Sequence, residues 1–291
     1  TGALVGYNND FRVNNSYITN GVISNSNNSG GTNHHLGGLI GYSGGVVSNS
    51  SVTGKVISSN GSGFVGGLIG MQQGLVSNSY ATASVSGGSS TGGLVGFNNG
   101  GEIDKSYTSG SIGGARHAGG LVGFNASGGI VNNSYATSDV SATLNAGGLV
   151  GYLDYQATIS NSYASGRVSD AQYMGGLVGG NDFNSSVTNS YWDVDTTGQA
   201  KVIGWREDPS TFNVGTVYGN STGTPAAYNK SSYANFDFNN TWFIAEGTSR
   251  PMLRAFLNSP DTDGRIAINN LYQLQGMAAN LAGKYYLTQD I

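Results

Sequence analysis

The chain has 291 residues, and glycine (49), serine (37) and asparagine (32) supply 118 of them, whereas charged residues are only 10%, against roughly 25% in an average soluble domain. That balance leaves too few strong helix formers for a helix-rich enzyme, and four prolines with so little charge do not describe a disordered chain. A net charge of −4 excludes a basic nucleic-acid face, no apolar run approaches the ~20 residues that span a bilayer, and the absence of cysteine rules out disulfides and thiolate metal sites.

From the first residues onward the chain repeats itself. Gly-Leu-(Val/Ile)-Gly recurs with its leucine at Leu39, Leu68, Leu94, Leu121, Leu149 and Leu177, with a variant at Leu4, at intervals of 35, 29, 26, 27, 28 and 28 residues. Asn-Ser-Tyr follows in most units, as at Asn78-Ser79-Tyr80 and Asn133-Ser134-Tyr135. Four residues before its tyrosine position stand Val13, Val47, Val76, Ile103, Val131, Ile159 and Val187; five after it stand Val22, Val56, Val85, Ile112, Val140 and Val168. Each unit therefore carries three short leucine-centred or β-branched segments separated by turn residues, which read as strands. A unit of this size cannot bury its apolar residues alone, so neighbouring units must cover them.

Stacking the units as coils sets each strand parallel to its counterpart one period away. The expected fold is all-β: a parallel, three-sided β-solenoid of about seven coils over residues 1–200. The spacing leaves inward and outward faces unassigned, because Val131, Asn133 and Tyr135 share a face in a regular strand. Asparagine over asparagine is expected to exchange amide hydrogen bonds along the axis. The longer spacings place corner loops at residues 27–35 and 58–63.

After about residue 190 the composition changes. All four prolines and all three tryptophans lie there, so residues 201–258 read as an irregular β cap over the open end. Residues 259–291 read as a linker, a short helix capped by Asn270 that ends near Gly283, and the start of a following module. A chain that starts within a repeat and stops in a strand is expected to be a segment of a longer protein.

The repeats resemble the GLUG-motif repeats of large bacterial surface and secreted proteins, on Gly93-Leu94-Val95-Gly96, Gly120-Leu121-Val122-Gly123 and Gly148-Leu149-Val150-Gly151 with their Asn-Ser-Tyr-like sequels. Residues 191–199, Tyr-Trp-Asp-Val-Asp-Thr-Thr-Gly-Gln, are similar to the segment that closes such arrays in filamentous-haemagglutinin-like exoproteins. The resemblance implies a right-handed coil in a secreted or cell-surface adhesin of a Gram-negative bacterium, passed through an outer-membrane transporter by two-partner secretion. Its implied role is attachment or biofilm formation, with host or surface glycans, proteins or further copies of itself as partners. GLUG repeats also accompany immunoglobulin-cleaving metallopeptidases, but the His-Glu-x-x-His motif of that chemistry is absent from this sequence.

Individual residues point the same way. Glu102 and Asp104 could form the carboxylate pair of a polysaccharide-cleaving β-helix, yet solvated charge is the better reading, and the expectation is a non-enzymatic stalk without cofactors. His34-His35 lacks a third ligand nearby in sequence. Asp261 and Asp263 resemble part of a calcium loop but lack its closing glutamate, so calcium is a minor candidate. The hydroxyl column Thr19, Thr53, Thr82, Ser109, Thr137 and Ser165 raises an ice-binding face, and the series Tyr42, Phe97, Phe124 and Tyr152 raises a carbohydrate-stacking row. Both have a simpler reading as strand edge or corner packing.

Overall fold

The computed structural model describes residues 1–25, 34–59, 61, 63–182, 184–206, 211–219 and 226–290. Most of the corner loop at 27–35, and residues 60 and 62 of the second, lie outside them. Three parallel sheets wrap one narrow core. The leucine face has eight strands, from Val5–Asn8 through Val122–Ala126 to Ile203–Arg206. The valine face is one sheet of seventeen short segments, and a third face has six strands of three residues, such as His117–Gly119. Six turns thus carry all three faces, with a partial coil at each end, where the repeat count suggests seven. At roughly 4.8 Å per rung the leucine face extends about 34 Å.

The repeat columns are spatial columns. Leu39, Leu68, Leu94, Leu121, Leu149 and Leu177 are fully buried, and each leucine N–H up to Leu149 donates to the next coil's leucine carbonyl, as in Leu94 to Leu121 (2.9 Å) and Leu121 to Leu149 (2.8 Å), while Leu177 donates to the Val202 carbonyl (3.0 Å). Val47, Val76, Ile103, Val131, Ile159 and Val187 stand opposite one another in register, as do Val56, Val85, Ile112, Val140 and Val168. All are buried. Val22 departs from its column: the register slips between Ile18 and Gly21, Ile23 takes the place opposite Val56, and Val22 is left 70% exposed.

The Asn-Ser-Tyr landmark turns out to be a hinge within the valine face. Its first residue has a positive φ in every unit, from Asn15 (φ 50) to Asn133 (φ 45) and Asn189 (φ 50), with Lys105 (φ 46) as the one substitute. Asparagine tolerates that region better than most residues. The kink breaks the strand's alternation, so Val131 points inward while Tyr135 stands on the outside of the rod. The serine repairs the hydrogen bonding lost at the kink: the Ser79 hydroxyl accepts from Ser50 N–H (3.1 Å) and donates to the Ser77 carbonyl (2.8 Å). Ser106, Ser134, Ser162 and Ser190 repeat the arrangement. Axial amide bonds form as well, both at the hinge (Asn161 Nδ2 to Asn132 Oδ1, 3.1 Å) and in a buried row, where Asn98 Nδ2 donates to Asn125 Oδ1 (2.7 Å).

Where the sequence suggests a cap, Ile203–Arg206 and Thr211–Val217 add one more rung to the leucine and valine faces. Residues 226–290 then form a strap along the outside of the valine face. Within it Trp242–Phe243 pairs antiparallel with Met252–Leu253, and Arg265–Ile268 pairs parallel with Lys284–Leu287. Asn270 caps the helix Leu271–Gly276, accepting from Gln273 N–H (2.9 Å). This helix ends seven residues before Gly283, at a 3₁₀ turn, Met277–Ala279.

Candidate functional site

Two aromatic rows run up the rod. The first is the tyrosine of the hinge. Rung spacing sets its rings face to face: Tyr80–Tyr107 at 4.9 Å, Tyr107–Tyr135 at 5.1 Å and Tyr135–Tyr163 at 4.9 Å, within the range of favourable offset stacking. The strap covers them. Phe256 meets Tyr107 edge-on (4.8 Å), Tyr272 stacks on Tyr107 (5.2 Å), and Trp242 lies 5.9 Å from Tyr163. The Tyr163 hydroxyl donates to the Pro251 carbonyl (2.7 Å). Burial pushes the phenols of Tyr107, Tyr135, Tyr163 and Tyr272 well above their usual range. This row is an internal seam.

Beside the seam is a groove of about 750 Å³, whose wall includes Thr53, Thr82, Ser109 and Thr137. The hydroxyl column therefore faces the strap. Its neighbours Val52, Ala81, Thr108, Ala136 and Ala164 are buried, because they pack against the glycines of the Gly-Gly-Leu corner; a side chain on Gly120 would meet Ala136 Cβ at 2.7 Å. The two outward hydroxyl columns of a flat ice-binding face are not formed here.

The second row is on the outward side of the leucine face. Tyr7, Tyr42, Met71, Phe97, Phe124, Tyr152, Gly180 and Trp205 are in register. Phe97 and Phe124 stack at 4.9 Å. Outward residues of the third face converge on them: Phe64 lies 4.6 Å from Phe97, His117 4.8 Å from Tyr152, and Tyr173 6.1 Å from Trp205. The corner between these faces is therefore concave, and near its C-terminal end it forms a cleft of about 430 Å³ lined by Arg116, His117, Asn145, Tyr152, Tyr173 and Trp205 among others. Sequence reasoning reached Phe124 and Tyr152 but missed the third-face residues, which vary from unit to unit. Their signal is positional: each stands three residues before the second glycine of Gly-Gly-Leu, next to an inward residue such as Ala118 or Ala146.

His117 Nδ1 lies 2.9 Å from Asn145 Nδ2. The amide donates, so the ring proton sits on Nε2. Burial, and then the charge of Arg116, push the imidazole down from 6.5 to about 4. The unfolded chain binds this proton as pH falls below about 6.5, and the folded chain does so only near 4. Stability at His117 is therefore unaffected above 6.5 and declines as pH falls toward 4. Thermal midpoints measured from pH 7 to 4 are expected to fall less steeply in His117→Asn than in the parent; parallel slopes would show that the ring titrates normally.

The other candidates hold structural partners. Glu102 is exposed, while Asp104 is paired with Lys105 (3.5 Å) and accepts from Asn133 Nδ2 (3.0 Å). His35 stacks on Phe64 at 5.5 Å. Asp261 and Asp263 both face the Arg265 guanidinium (3.3 and 2.9 Å), and Asp261 Oδ1 accepts from two backbone N–H groups of its own turn. Among the described residues no three His, Cys, Asp or Glu gather where a metal could be held, and no helix is long and apolar enough to cross a membrane.

The GLUG-motif family model matches residues 32–57, 114–141 and 142–169, three of the coils just described. These three coils carry the GLUG motif. No curated protein matches the chain. Solved structures similar to it include two described as proteases. One, a Bacteroides ovatus protein provisionally described as an immunoglobulin A1 protease, is 18% identical over 87% of this chain and 74% of its own, with a TM-score of 0.48. The other, described as IgA1 protease, is 22% identical over 66% of this chain and 17% of its own, with a TM-score of 0.51.

The second likeness shows the fold, and it corrects one expectation. A similar fold occurs within a chain described as IgA1 protease, so the inference from composition to a non-enzymatic protein does not stand. Composition describes the repeat and not the chain in which the repeat is used.

Proposed function

We propose that the GLUG-repeat solenoid is a stiff stalk of a larger bacterial protein, secreted or held at the cell surface, that presents working modules away from the cell for attachment or biofilm formation. The observation that supports this best is the parallel in-register stacking that runs through six turns on all three faces, slipping only at the first and last rungs of the valine face. Each coil is fixed by its neighbours, so the rod transmits position along its length where a Gly/Ser chain of similar composition would coil. The extracellular setting, passage through an outer-membrane transporter and glycan, protein or self partners follow from the resemblance to exported adhesins. A fold similar to this one makes up part of a longer chain described as IgA1 protease, which fits a module carried within a larger protein.

The test is made in the full-length protein on its producing cells. Exchanging residues 114–169 for a Gly/Ser linker of equal length breaks the stack into two flexibly joined halves. Attachment to surfaces is expected to fall several-fold at unchanged surface amount, with antibodies to the repeats labelling the cell exterior. Unchanged attachment, or labelling confined to the cell interior, would rule the stalk out.

A further inference from the structure

We propose that the concave corner at Tyr152, Tyr173 and Trp205 is a carbohydrate-binding cleft that takes a pyranose ring of an extracellular glycan. The first support is a notch in the aromatic row. Tyr152 and Trp205 stand two rungs apart, roughly 9.6 Å along the axis, yet their rings approach to 6.4 Å and lie within 16° of parallel. The rung between them carries Gly180. A Cβ there would fall 2.8 Å from the Tyr152 ring and 2.9 Å from Asn145 Oδ1, so the row is interrupted at the one position where the rings need space. Tyr173 closes the side, its ring inclined 41° to that of Trp205.

The second support is polar and independent of the first. Asn145 is 2% exposed and lines the cleft. Its Nδ2 is used on His117 Nδ1, and its Oδ1 has no hydrogen-bond partner. A buried acceptor left unpaired is costly, and such groups call for an explanation; a ligand hydroxyl supplies one. Around it stand the His117 Nε2–H as a donor and, at the rim, the exposed Arg116, which forms no ion pair among the described residues.

Flat aromatic walls with hydrogen-bonding groups at the floor and rim match a molecule that is apolar on its ring faces and polar at its edges. A pyranose has that form. A lipid chain would leave Asn145 Oδ1 unpaired, and a nucleic acid would meet one cation on a chain of net charge −4. Phe124 and Phe97 continue the strip along the rod, so a glycan chain has further platform beyond the notch. The strap covers the tyrosine seam on the valine face and does not line this corner.

The experiment titrates the chain with chitotetraose, cellotetraose and tetragalacturonate, which offer N-acetylated, neutral and acidic pyranose rings, and follows tryptophan fluorescence and calorimetric heat. At least one is expected to bind saturably at up to millimolar concentration, with Trp205→Ala weakening it about tenfold or more and Trp205→Phe retaining most of it. Asn145→Leu is expected to weaken binding similarly; because it also removes the amide donor to His117 Nδ1, binding is read well below its thermal midpoint, and a purely structural asparagine would lower that midpoint while leaving binding unchanged. Far-UV circular dichroism confirms that each variant keeps the fold. Absence of saturable binding to all three sugars, or binding that Trp205→Ala leaves unchanged, overturns the proposal. Neither result bears on the stalk, which rests on the stacking and not on this corner.

Discussion

Gly120→Ala is expected to split the solenoid into two independently melting halves. The added Cβ would lie 2.1 Å from the Gly148 carbonyl oxygen and 2.7 Å from Ala136 Cβ. The first contact is with backbone one rung away, and that rung is held by its own bonds, including Gly148 N–H to the Gly175 carbonyl (3.2 Å). Neither side can retreat without breaking the leucine-corner ladder. Overpacking usually costs 1–3 kcal/mol and occasionally more, and a clash with fixed backbone belongs at the upper end, about 3 kcal/mol. For a chain of this size that lowers the main melting midpoint by roughly 6–12 °C. Because coils couple only to their neighbours, calorimetry should show two transitions, and amide exchange should accelerate around rungs 94–150 before it does near Tyr191. Adding Ala136→Gly relieves only the side-chain contact, so it is not expected to rescue. A single transition at the parental midpoint would show that the corner yields.

The repeat made most of this fold legible. In a stacked coil, residues one period apart in sequence become neighbours in space, so the leucine and valine columns translate directly into register. What failed were features whose cause lies outside the repeat pattern. Val131, Asn133 and Tyr135 look like one face until Asn133 turns to positive φ and sends the tyrosine outward. Val22 fits its column by count, but the slip after Ile18 gives the place to Ile23. The asparagine ladder forms, but the serine's bond across the kink follows from the positive φ before it, which the periodicity does not show. The strap carries tryptophans and prolines that mark it as different, yet an aperiodic segment gives no indication of the side on which it lies. The cleft was half legible: Phe124 and Tyr152 belong to a column that stays apolar, whereas Arg116, Asn145 and Tyr173 come from positions whose identity changes with every coil.

Trp242→Ala is expected to open the strap and expose the tyrosine seam. Trp242 is fully buried, with its ring 4.6 Å from Phe236, 5.9 Å from Tyr163 and 6.1 Å from Tyr135. Truncating a buried tryptophan costs about 3–5 kcal/mol. Its indole N–H has no partner, so removing it recovers part of that cost and sets the net loss near the lower figure. The remaining ties are the packing of Phe256 and Tyr272 on Tyr107 and of Tyr233 and Phe236 on Tyr191, together with a small set of polar contacts. Arg250 forms a buried ion pair with Asp193, whose Oδ1 also accepts from Gly219 N–H (3.1 Å), and the Tyr163 hydroxyl is bonded to Pro251. Tyrosine ionisation provides the readout. Burial raises the seam phenols above their ordinary value of 10, so above about pH 10 the unfolded chain releases protons that the folded chain retains. The seam's contribution to stability is therefore complete below pH 10 and falls as pH rises further. In the parent, these phenols should resist ionisation until alkaline unfolding releases them together. In Trp242→Ala the phenols of Tyr135 and Tyr163, which Trp242 covers, should ionise closer to pH 10 while circular dichroism still reports an intact solenoid, because the rungs do not depend on the strap for their hydrogen bonds. Ionisation curves that overlay in parent and variant would place the strap's hold in the Asp193–Arg250 pair, since that contact ties it to the last turns of the rod without the aromatic seam.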